Sequence, residues 1–198
     1  MSKIKNALID HHQHAAHRSG LSRRGFLKRA GFAAVGALLL PSSEAFAKSM
    51  SQERRLSFHN VNTDEEMSIV CCPEEQYDPM VLERFNHFLR DHHADLVRPM
   101  DPALLDLLFA VSVFTGSNGT FKIISGYRSP ETNSWLRKIS HGVAEHSMHI
   151  EGKAVDIRMS DVSSHTIRQV GLALQQGGVG YYPRADFVHL DTGDVRSW

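Results

Sequence analysis

The sequence predicts a single α+β domain in which a small antiparallel sheet is flanked by helices. Short segments rich in β-branched and aromatic residues alternate loosely with longer segments whose apolar residues recur at helical spacing. No internal repeat or low-complexity linker divides them. After removal of an N-terminal export signal, 151 residues remain, a length typical of one domain with its own hydrophobic core.

The N-terminal residues have the pattern of a twin-arginine export signal. The arginine pair lies in Ser22–Lys28 (SRRGFLK), an apolar segment follows at 30–40, and Ala-Phe-Ala, a small-x-small cleavage site, ends at Ala47. The apolar segment is too short to span a bilayer comfortably. We therefore predict a cleaved signal peptide at 1–47, a mature domain at 48–198 and export through the twin-arginine translocase.

Cleavage changes the charge of the chain. The full sequence has 22 basic and 22 acidic residues, and the predicted signal holds 7 and 2 of them, so the mature domain keeps 15 against 20. This acidic balance lacks the electrostatic signature of a nucleic-acid-binding protein. The mature part has no second apolar run of spanning length. We expect a soluble periplasmic protein with no membrane span in its mature form.

The mature domain begins with a predicted β-hairpin. Residues 56–61 (LSFHNV) and 67–71 (MSIVC) are β-favouring segments, separated by the polar run 62–66 and ended by Pro73. The second segment runs into two adjacent cysteines, the only two in the chain. Because a disulfide between neighbours strains the peptide bond, a buried pair of thiols and a vicinal disulfide both remain open.

Two helices are predicted to follow the hairpin. Asp78 with Pro79 and Asp101 with Pro102 are start signals, and the second helix ends at the polar glycine-containing stretch 115–119. Apolar residues recur behind both starts at helical spacing, namely Val81, Leu82, Phe85, Phe88 and Leu89 in the first helix and Leu104, Leu105, Leu107, Leu108, Val111 and Val113 in the second. Both are predicted to be scaffold helices.

The remaining chain alternates strands and helices more closely. The predicted elements are a strand at 121–124, a helix at 131–139, a loop at 142–146, a strand at 154–159, a helix at 163–176 and a final core strand at 188–190. Together with the hairpin and the two helices they complete the α+β pattern.

Candidate metal ligands lie on the last two predicted strands and on the turn before them. Asp156 lies in an otherwise apolar strand, where a lone buried carboxylate needs a partner. His189 lies between two apolar residues and so faces the opposite side from them. Gly152 allows the chain to turn and bring His149 over the same strand face.

These three residues have the composition of a catalytic zinc site. Two imidazoles and one carboxylate are a common protein ligand set for catalytic zinc, and the fourth position is left to water. A buried histidine–aspartate ion pair would be the ordinary interpretation of any one of them alone. For His149, Asp156 and His189 together, the sequence favours metal binding.

The residues around this site resemble a known family. SMHIEGKAVD at 147–156 and FVHLD at 187–191 resemble the zinc peptidases that share a fold with D-alanyl-D-alanine carboxypeptidases and the hedgehog signalling domain. With SGYRSPETN at 125–133 and the twin-arginine leader, the chain looks like the murein endopeptidase K group. The resemblance covers roughly residues 52–196.

The resemblance implies a hydrolase that acts on the peptide stems of peptidoglycan. It implies one Zn²⁺ per chain, held by His149, Asp156 and His189, and cleavage of cross-links between two diaminopimelate residues or between D-alanine and diaminopimelate. Arg128 matches the family arginine that contacts the substrate carbonyl or the oxyanion. A structural ion pair with an acidic neighbour is the alternative role for Arg128.

The general base is less well determined by the resemblance. Some relatives have a carboxylate three residues before the last histidine ligand, which here is Asp186, whereas others have a histidine where this chain has Phe187, which excludes the second arrangement. The resemblance therefore favours Asp186 as the base. Strict strand alternation puts Asp186 on the face opposite His189, so it serves as base only if the segment after Pro183 is still turning. Asp191 shares the face of His189 and is a candidate for orienting that imidazole.

Two further residues are candidates for the rim of the site. Tyr182 flanks the last motif and is a candidate substrate contact, and His146 lies three residues before His149. Two other functions remain open: a murein DD- or LD-carboxypeptidase, and a noncatalytic zinc-stabilised module that binds the cell wall.

Overall fold

The computed structural model describes residues 53–71, 77–140 and 142–198, which form seven strands and four helices. The strands are β1 (Arg54–Asn60), β2 (Glu66–Cys71), β3 (Thr120–Ser125), β4 (Ala154–Met159), β5 (Gly178–Tyr182), β6 (Phe187–Asp191) and β7 (Arg196–Ser197). The helices are α1 (Pro79–Phe88), α2 (Ala103–Thr115), α3 (Pro130–Ile139) and α4 (Ser164–Leu174). The α+β class is confirmed, and the predicted signal peptide lies outside the described residues.

All seven strands belong to one sheet, in the order β2-β1-β3-β4-β6-β5-β7. The predicted hairpin is present as β1 and β2. The sheet is larger than expected and mixed, because β1 pairs parallel with β3 and β5 pairs parallel with β7, while the other neighbours are antiparallel. Two helices, α1 and α2, separate β1–β2 from β3, and such a long connection is what a parallel pair requires.

The glycine-rich segment before Pro183 forms β5, a strand that the sequence did not predict. Its glycines make room for neighbouring side chains. A Cβ atom at Gly178 would lie 2.4 Å from Asp191 Oδ2, and one at Gly180 would lie 2.6 Å from Trp198 Cε2. Glycine is therefore required at these two positions, because neighbouring side chains approach the strand too closely for a Cβ atom.

The predicted start at Asp78 is confirmed by its cap, and Ser129 caps α3 in the same way. Asp78 Oδ1 accepts a hydrogen bond from the Met80 N–H at 2.8 Å, and Ser129 Oγ accepts one from the Thr132 N–H at 3.1 Å. Each cap is followed by proline in the first turn, where a missing N–H costs nothing. Helix α2 ends at Gly116, whose φ of 67° is the left-handed conformation typical of this position.

The hydrophobic core lies on one face of the sheet, which we call the helix face. Phe58 packs against Phe85 and Phe88 of α1 and stacks on Phe121 of β3, with ring centroids 5.6–6.2 Å apart. At the other end of the sheet Leu190 approaches α4. Strand alternation then sends Asp156, Tyr182 and His189 to the opposite face, which we call the site face.

Two further observations concern membrane-spanning helices and the cysteines. Within the described residues, no helix is both long and apolar enough to cross a membrane. Cys71 is buried in β2, with 1% of its surface exposed. Cys72 lies outside the described residues, so the choice between thiols and a vicinal disulfide stays as the sequence left it.

Candidate metal centre

Three polar side chains converge on the site face. Asp156 of β4 and His189 of β6 lie directly opposite each other in the antiparallel ladder, and His149 reaches them from the turn before β4. Asp156 Oδ1 lies 2.9 Å from His189 Nδ1 and 3.1 Å from His149 Nε2, and the two nitrogens are 3.1 Å apart. All three residues are buried, with 6% or less of their surface exposed.

The turn that carries His149 is tight and depends on one glycine. Gly152 has a φ of 71°, and a Cβ atom there would lie 2.5 Å from the Pro99 carbonyl oxygen. The turn closes through a hydrogen bond from the Lys153 N–H to the Met148 carbonyl at 2.9 Å. The expectation that Gly152 permits a tight return over the strand is confirmed.

Each of the three converging side chains has a second polar atom, and that atom is held by another group of the protein. His149 Nδ1 lies 2.6 Å from the Gly126 carbonyl, His189 Nε2 lies 2.9 Å from Asp191 Oδ2, and Asp156 Oδ2 accepts from Arg128 Nη2 at 2.6 Å. A carbonyl and a carboxylate only accept, so the partnered ring nitrogens carry the hydrogens. In the neutral form that metal ligation requires, the two imidazoles present Nε2 of His149 and Nδ1 of His189 as lone-pair donors beside Asp156 Oδ1.

Arg128 belongs to the site through its contact with Asp156. Its Nε also donates to Ser125 Oγ at 2.9 Å, and its side chain is 14% exposed. The loop is anchored on both sides, since the Arg128 N–H donates to the His149 carbonyl and the Ser129 N–H to Asp91 Oδ2. The ion-pair role is thus present, and Arg128 Nη1 has no hydrogen-bond partner within the described residues.

Asp191 is the most buried member of the surrounding shell, with no exposed surface. Besides His189, its carboxylate accepts hydrogen bonds from the Gly178 and Gly193 N–H groups at 3.0 and 2.9 Å. Arg196 Nη2 donates to Asp191 Oδ2 at 2.7 Å. A carboxylate held by this many donors keeps a fixed orientation, and it therefore also fixes the ring of His189.

Burial and charge act against each other in setting the pKa values of this cluster. Burial lowers the pKa of His149, despite the opposing effect of Asp156. Burial alone would raise the pKa of the Asp156 carboxyl, but His149 and His189 hold it well below its usual range. Burial would lower the pKa of His189, but its hydrogen bonds to Asp156 and Asp191 raise it. The pKa of the Asp191 carboxyl is also lowered, despite its burial, by hydrogen bonds from His189 and from two backbone N–H groups. Asp156 and Asp191 are therefore both ionised at neutral pH, which is the form that Asp156 needs to bind a cation.

The structure does not bring Asp186 into this cluster. Asp186 lies in the exposed turn between β5 and β6 with a φ of 51°, and its Oδ1 accepts from Ser164 Oγ at 2.7 Å. Ser164 begins α4, which covers the helix face. The segment after Pro183 does turn, as a general base at this position requires. Its contact with Ser164 holds the Asp186 carboxylate, and the role of Asp186 as general base remains a prediction.

Aromatic residues border the cluster on its β5 side, and sequence reasoning found only one of them. Tyr182 stacks on Phe187 with ring centroids 4.4 Å apart, and Trp198 lies 5.2 Å from the ring of His189. Trp198 follows a two-residue strand that the sequence did not predict. The other rim candidate, His146, is exposed.

Comparison with known proteins gives consistent results. Residues 48–198 match the family described as peptidoglycan L,D-endopeptidase MepK. The chain is 38% identical over 177 residues to the peptidoglycan L,D-endopeptidase MepK of Escherichia coli (strain K12), covering 89% of this chain and 97% of that protein. It is 36% identical over 178 residues to a probable peptidoglycan L,D-endopeptidase MepK of Haemophilus influenzae, covering 89% and 95%.

The comparison with solved structures found no match. The similarity to the curated relatives extends over nearly their whole length, and the family match includes the segments that carry His149, Asp156 and His189. The chain therefore belongs to the peptidoglycan L,D-endopeptidase MepK family of peptidases.

Proposed function

We propose that this protein is a zinc-dependent endopeptidase that hydrolyses cross-links between two diaminopimelate residues in peptidoglycan. The relatives are named L,D-endopeptidases, and this name separates the two bonds that the sequence left open. A link between two diaminopimelates joins a carboxyl group on an L-centre to an amine on a D-centre. A link from D-alanine to diaminopimelate joins two D-centres.

The observation that carries the proposal is the convergence of His149, Asp156 and His189. Their candidate ligand atoms lie within 4.8 Å of one another, and the remaining polar atom of each side chain is already occupied by a protein partner. Two imidazole nitrogens and one carboxylate oxygen fit Zn²⁺ with one position left for water. When bound, zinc in such a site lowers the pKa of its water and polarises the scissile carbonyl.

Around these ligands, the chain supplies orientation and positive charge. Asp191 orients the ring of His189, and the Gly126 carbonyl orients the ring of His149, so that the free nitrogens face one point. Arg128 orients Asp156 through Nη2. We assign its Nη1 to the substrate carbonyl oxygen, where a guanidinium stabilises the negative charge that develops during attack.

Export completes the proposal. We propose that residues 1–47 are a cleaved twin-arginine signal and that 48–198 act in the periplasm, where peptidoglycan is accessible. The start of the family match at residue 48 supports this boundary. We also propose that the fold is of the hedgehog and D-alanyl-D-alanine peptidase type, supported by ligands on two neighbouring antiparallel strands and on the preceding turn. N-terminal sequencing of the exported protein tests the cleavage site.

Digestion of purified muropeptide dimers tests the activity. One dimer is linked between two diaminopimelates and the other between D-alanine and diaminopimelate, and products are separated by mass. We expect zinc-dependent conversion of the first dimer to monomers, loss of activity on chelation and recovery on addition of Zn²⁺. Release of a terminal amino acid alone would indicate a carboxypeptidase. No conversion of either dimer by zinc-loaded protein would refute the proposal.

A further inference from the structure

A half-exposed indole lies beside the metal-facing cluster. The ring centroid of Trp198 is 5.2 Å from that of His189, and 51% of the Trp198 surface is exposed. Exposed tryptophan on a protein surface is commonly mobile, but this one is fixed by its backbone. The Trp198 N–H donates to the Val179 carbonyl at 3.2 Å, and the Trp198 carbonyl accepts from the Tyr181 N–H at 3.0 Å.

The sheet leaves room for the Trp198 ring at a glycine. Gly180 lies opposite His189 in the β5–β6 ladder, so both face the site side. A Cβ atom at Gly180 would lie 2.6–2.8 Å from three atoms of the Trp198 indole, which is closer than packed atoms approach. Arg196 lies over the same indole with its guanidinium carbon 5.2 Å from the ring centroid. The indole is therefore packed from both sides while one part stays open to solvent.

The indole N–H of Trp198 sets the hydrogen-bonding role of the Tyr182 hydroxyl group. Trp198 Nε1 donates to the Tyr182 hydroxyl oxygen at 2.9 Å. Indole nitrogen is a donor only, so the tyrosine oxygen must accept, and its own O–H is left to donate elsewhere. Tyr182 is partly exposed, shares the site face with His189 and is stacked on Phe187. Its ring is thus held on one side and its oxygen on the other.

We propose that Trp198 is a positioning residue that holds the Tyr182 hydroxyl as a hydrogen-bond donor to the peptidoglycan stem at the metal centre. The acceptor is an oxygen of the stem peptide, either a carboxylate of diaminopimelate or an amide carbonyl. Without the indole N–H, the hydroxyl can rotate and its proton is no longer directed. This inference rests on the proposed function and adds a substrate contact to it.

A double-mutant cycle tests the coupling. Trp198→Phe keeps an aromatic ring but removes the N–H, and Tyr182→Phe removes the hydroxyl. We expect each to lower kcat/KM on the diaminopimelate-linked dimer roughly three- to tenfold, mainly by raising KM, since one directed hydrogen bond is lost. The double variant should be no worse than Tyr182→Phe alone, because Trp198 acts through Tyr182. Bound zinc should be unchanged in all three variants.

Trp135→Phe is the matched control, because Trp135 is the only other tryptophan and is similarly exposed at 47%. It also leaves Trp198 as the sole tryptophan, whose fluorescence then reports on this site. We expect the emission of that variant, depleted of metal to prevent turnover, to shift on saturation with the dimer. The emission of Trp198→Phe, in which only Trp135 remains, should not shift.

The outcomes separate this inference from the proposed function. Normal turnover by the unsubstituted chain, together with unchanged KM in Trp198→Phe and Tyr182→Phe, would overturn the inference and leave the endopeptidase intact. Additive losses in the double variant would also overturn it. Absence of turnover by the zinc-loaded unsubstituted chain would refute the proposed function itself. Dimers with free or amidated carboxylates distinguish the acceptor, because amidation replaces a charge-assisted hydrogen bond with a weaker neutral one and so reduces the Tyr182→Phe loss only if a carboxylate is bound.

Discussion

Asp156 and His189 form a directly opposed cross-strand pair, with Asp156 Oδ1 2.9 Å from His189 Nδ1. Opposite residues on one face of an antiparallel ladder have their Cβ atoms about 4.5–5.5 Å apart, so the sheet itself sets the spacing of two ligands. Only His149 depends on a turn, and that turn is held by Gly152. The candidate centre is therefore built mainly on rigid elements.

Loss of one converging side chain should remove the metal. Replacing His149, Asp156 or His189 with alanine leaves two protein donors, and we expect both bound zinc and dimer hydrolysis to be abolished. Metal content after dialysis and muropeptide turnover are the two measurements. His165→Ala, an exposed histidine on α4, is the control and should retain both. Hydrolysis that survives loss of the metal in His149→Ala would exclude a metallopeptidase.

Asp191 is not a candidate ligand, but its substitution should lower the affinity for zinc. Asp191→Asn weakens the hydrogen bond that orients His189, and we expect zinc affinity or activity to fall roughly 10- to 100-fold. Competition with a chelator of known affinity measures the change. Asp194→Asn changes a nearby carboxylate that is exposed, and it is expected to leave the affinity unchanged. An Asp191 variant with unaltered zinc affinity would contradict this role.

Arg128 carries two functions that a conservative change can separate. Arg128→Lys keeps the positive charge but removes the planar fork that binds Ser125 and Asp156 together. We expect kcat to fall roughly 100-fold, as for loss of an oxyanion donor, while zinc remains bound. Steady-state kinetics and metal analysis of the same preparation provide the test. Arg137→Lys, in an exposed pair with Glu145, is the control.

Asp186 is the candidate general base, and its substitution tests that role. We expect Asp186→Asn to lower kcat by roughly 100-fold or more, the usual contribution of a positioned base, while zinc remains bound. The dimer assay at several pH values measures this directly. A kcat within about threefold of the unsubstituted chain would limit Asp186 to its hydrogen bond with Ser164.

Asp91 should link stability to pH. Its buried carboxylate accepts hydrogen bonds from the Ser129 and His93 N–H groups. Burial alone would raise the pKa of Asp91, but hydrogen bonds from Thr132, Ser129 and His93 lower it below its ordinary value. The lowered pKa means that Asp91 contributes stability above its unfolded-state pKa, near 4, and that this contribution is lost as the pH falls further.

The measurement is urea unfolding of the unsubstituted chain and Asp91→Asn between pH 7 and pH 3. We expect Asp91→Asn to be less stable by about 1–3 kcal/mol at pH 7, as for hydrogen bonds to a charged group. The difference should begin to shrink below pH 4, because the unfolded chain then binds a proton at Asp91 that the folded chain binds only at lower pH. A difference that stays constant across this range would rule out the ionised carboxylate as its source.

Much of the fold follows from local signals in the sequence. Proline after an aspartate or serine cap marks where α1 and α3 begin, and alternation marks β4 to the residue. The β5 strand could not be found in this way, because its glycines carry no pattern and are explained only by the side chains of Asp191 and Trp198 that approach them. Parallel pairing of β1 with β3 likewise depends on how the intervening helices pack.

The sequence by itself determined which residue types are available for a metal and where they lie, because His149, Asp156 and His189 stand at spacings that strand alternation and one glycine turn can bring together. Only the tertiary structure decided that Arg128 lies behind Asp156, that the Gly126 carbonyl lies behind His149 and that Asp186 contacts Ser164. Those outcomes depend on contacts between residues far apart in the chain, such as Arg128 with Asp156 and Trp198 with Tyr182. Local sequence patterns carry no information about such contacts.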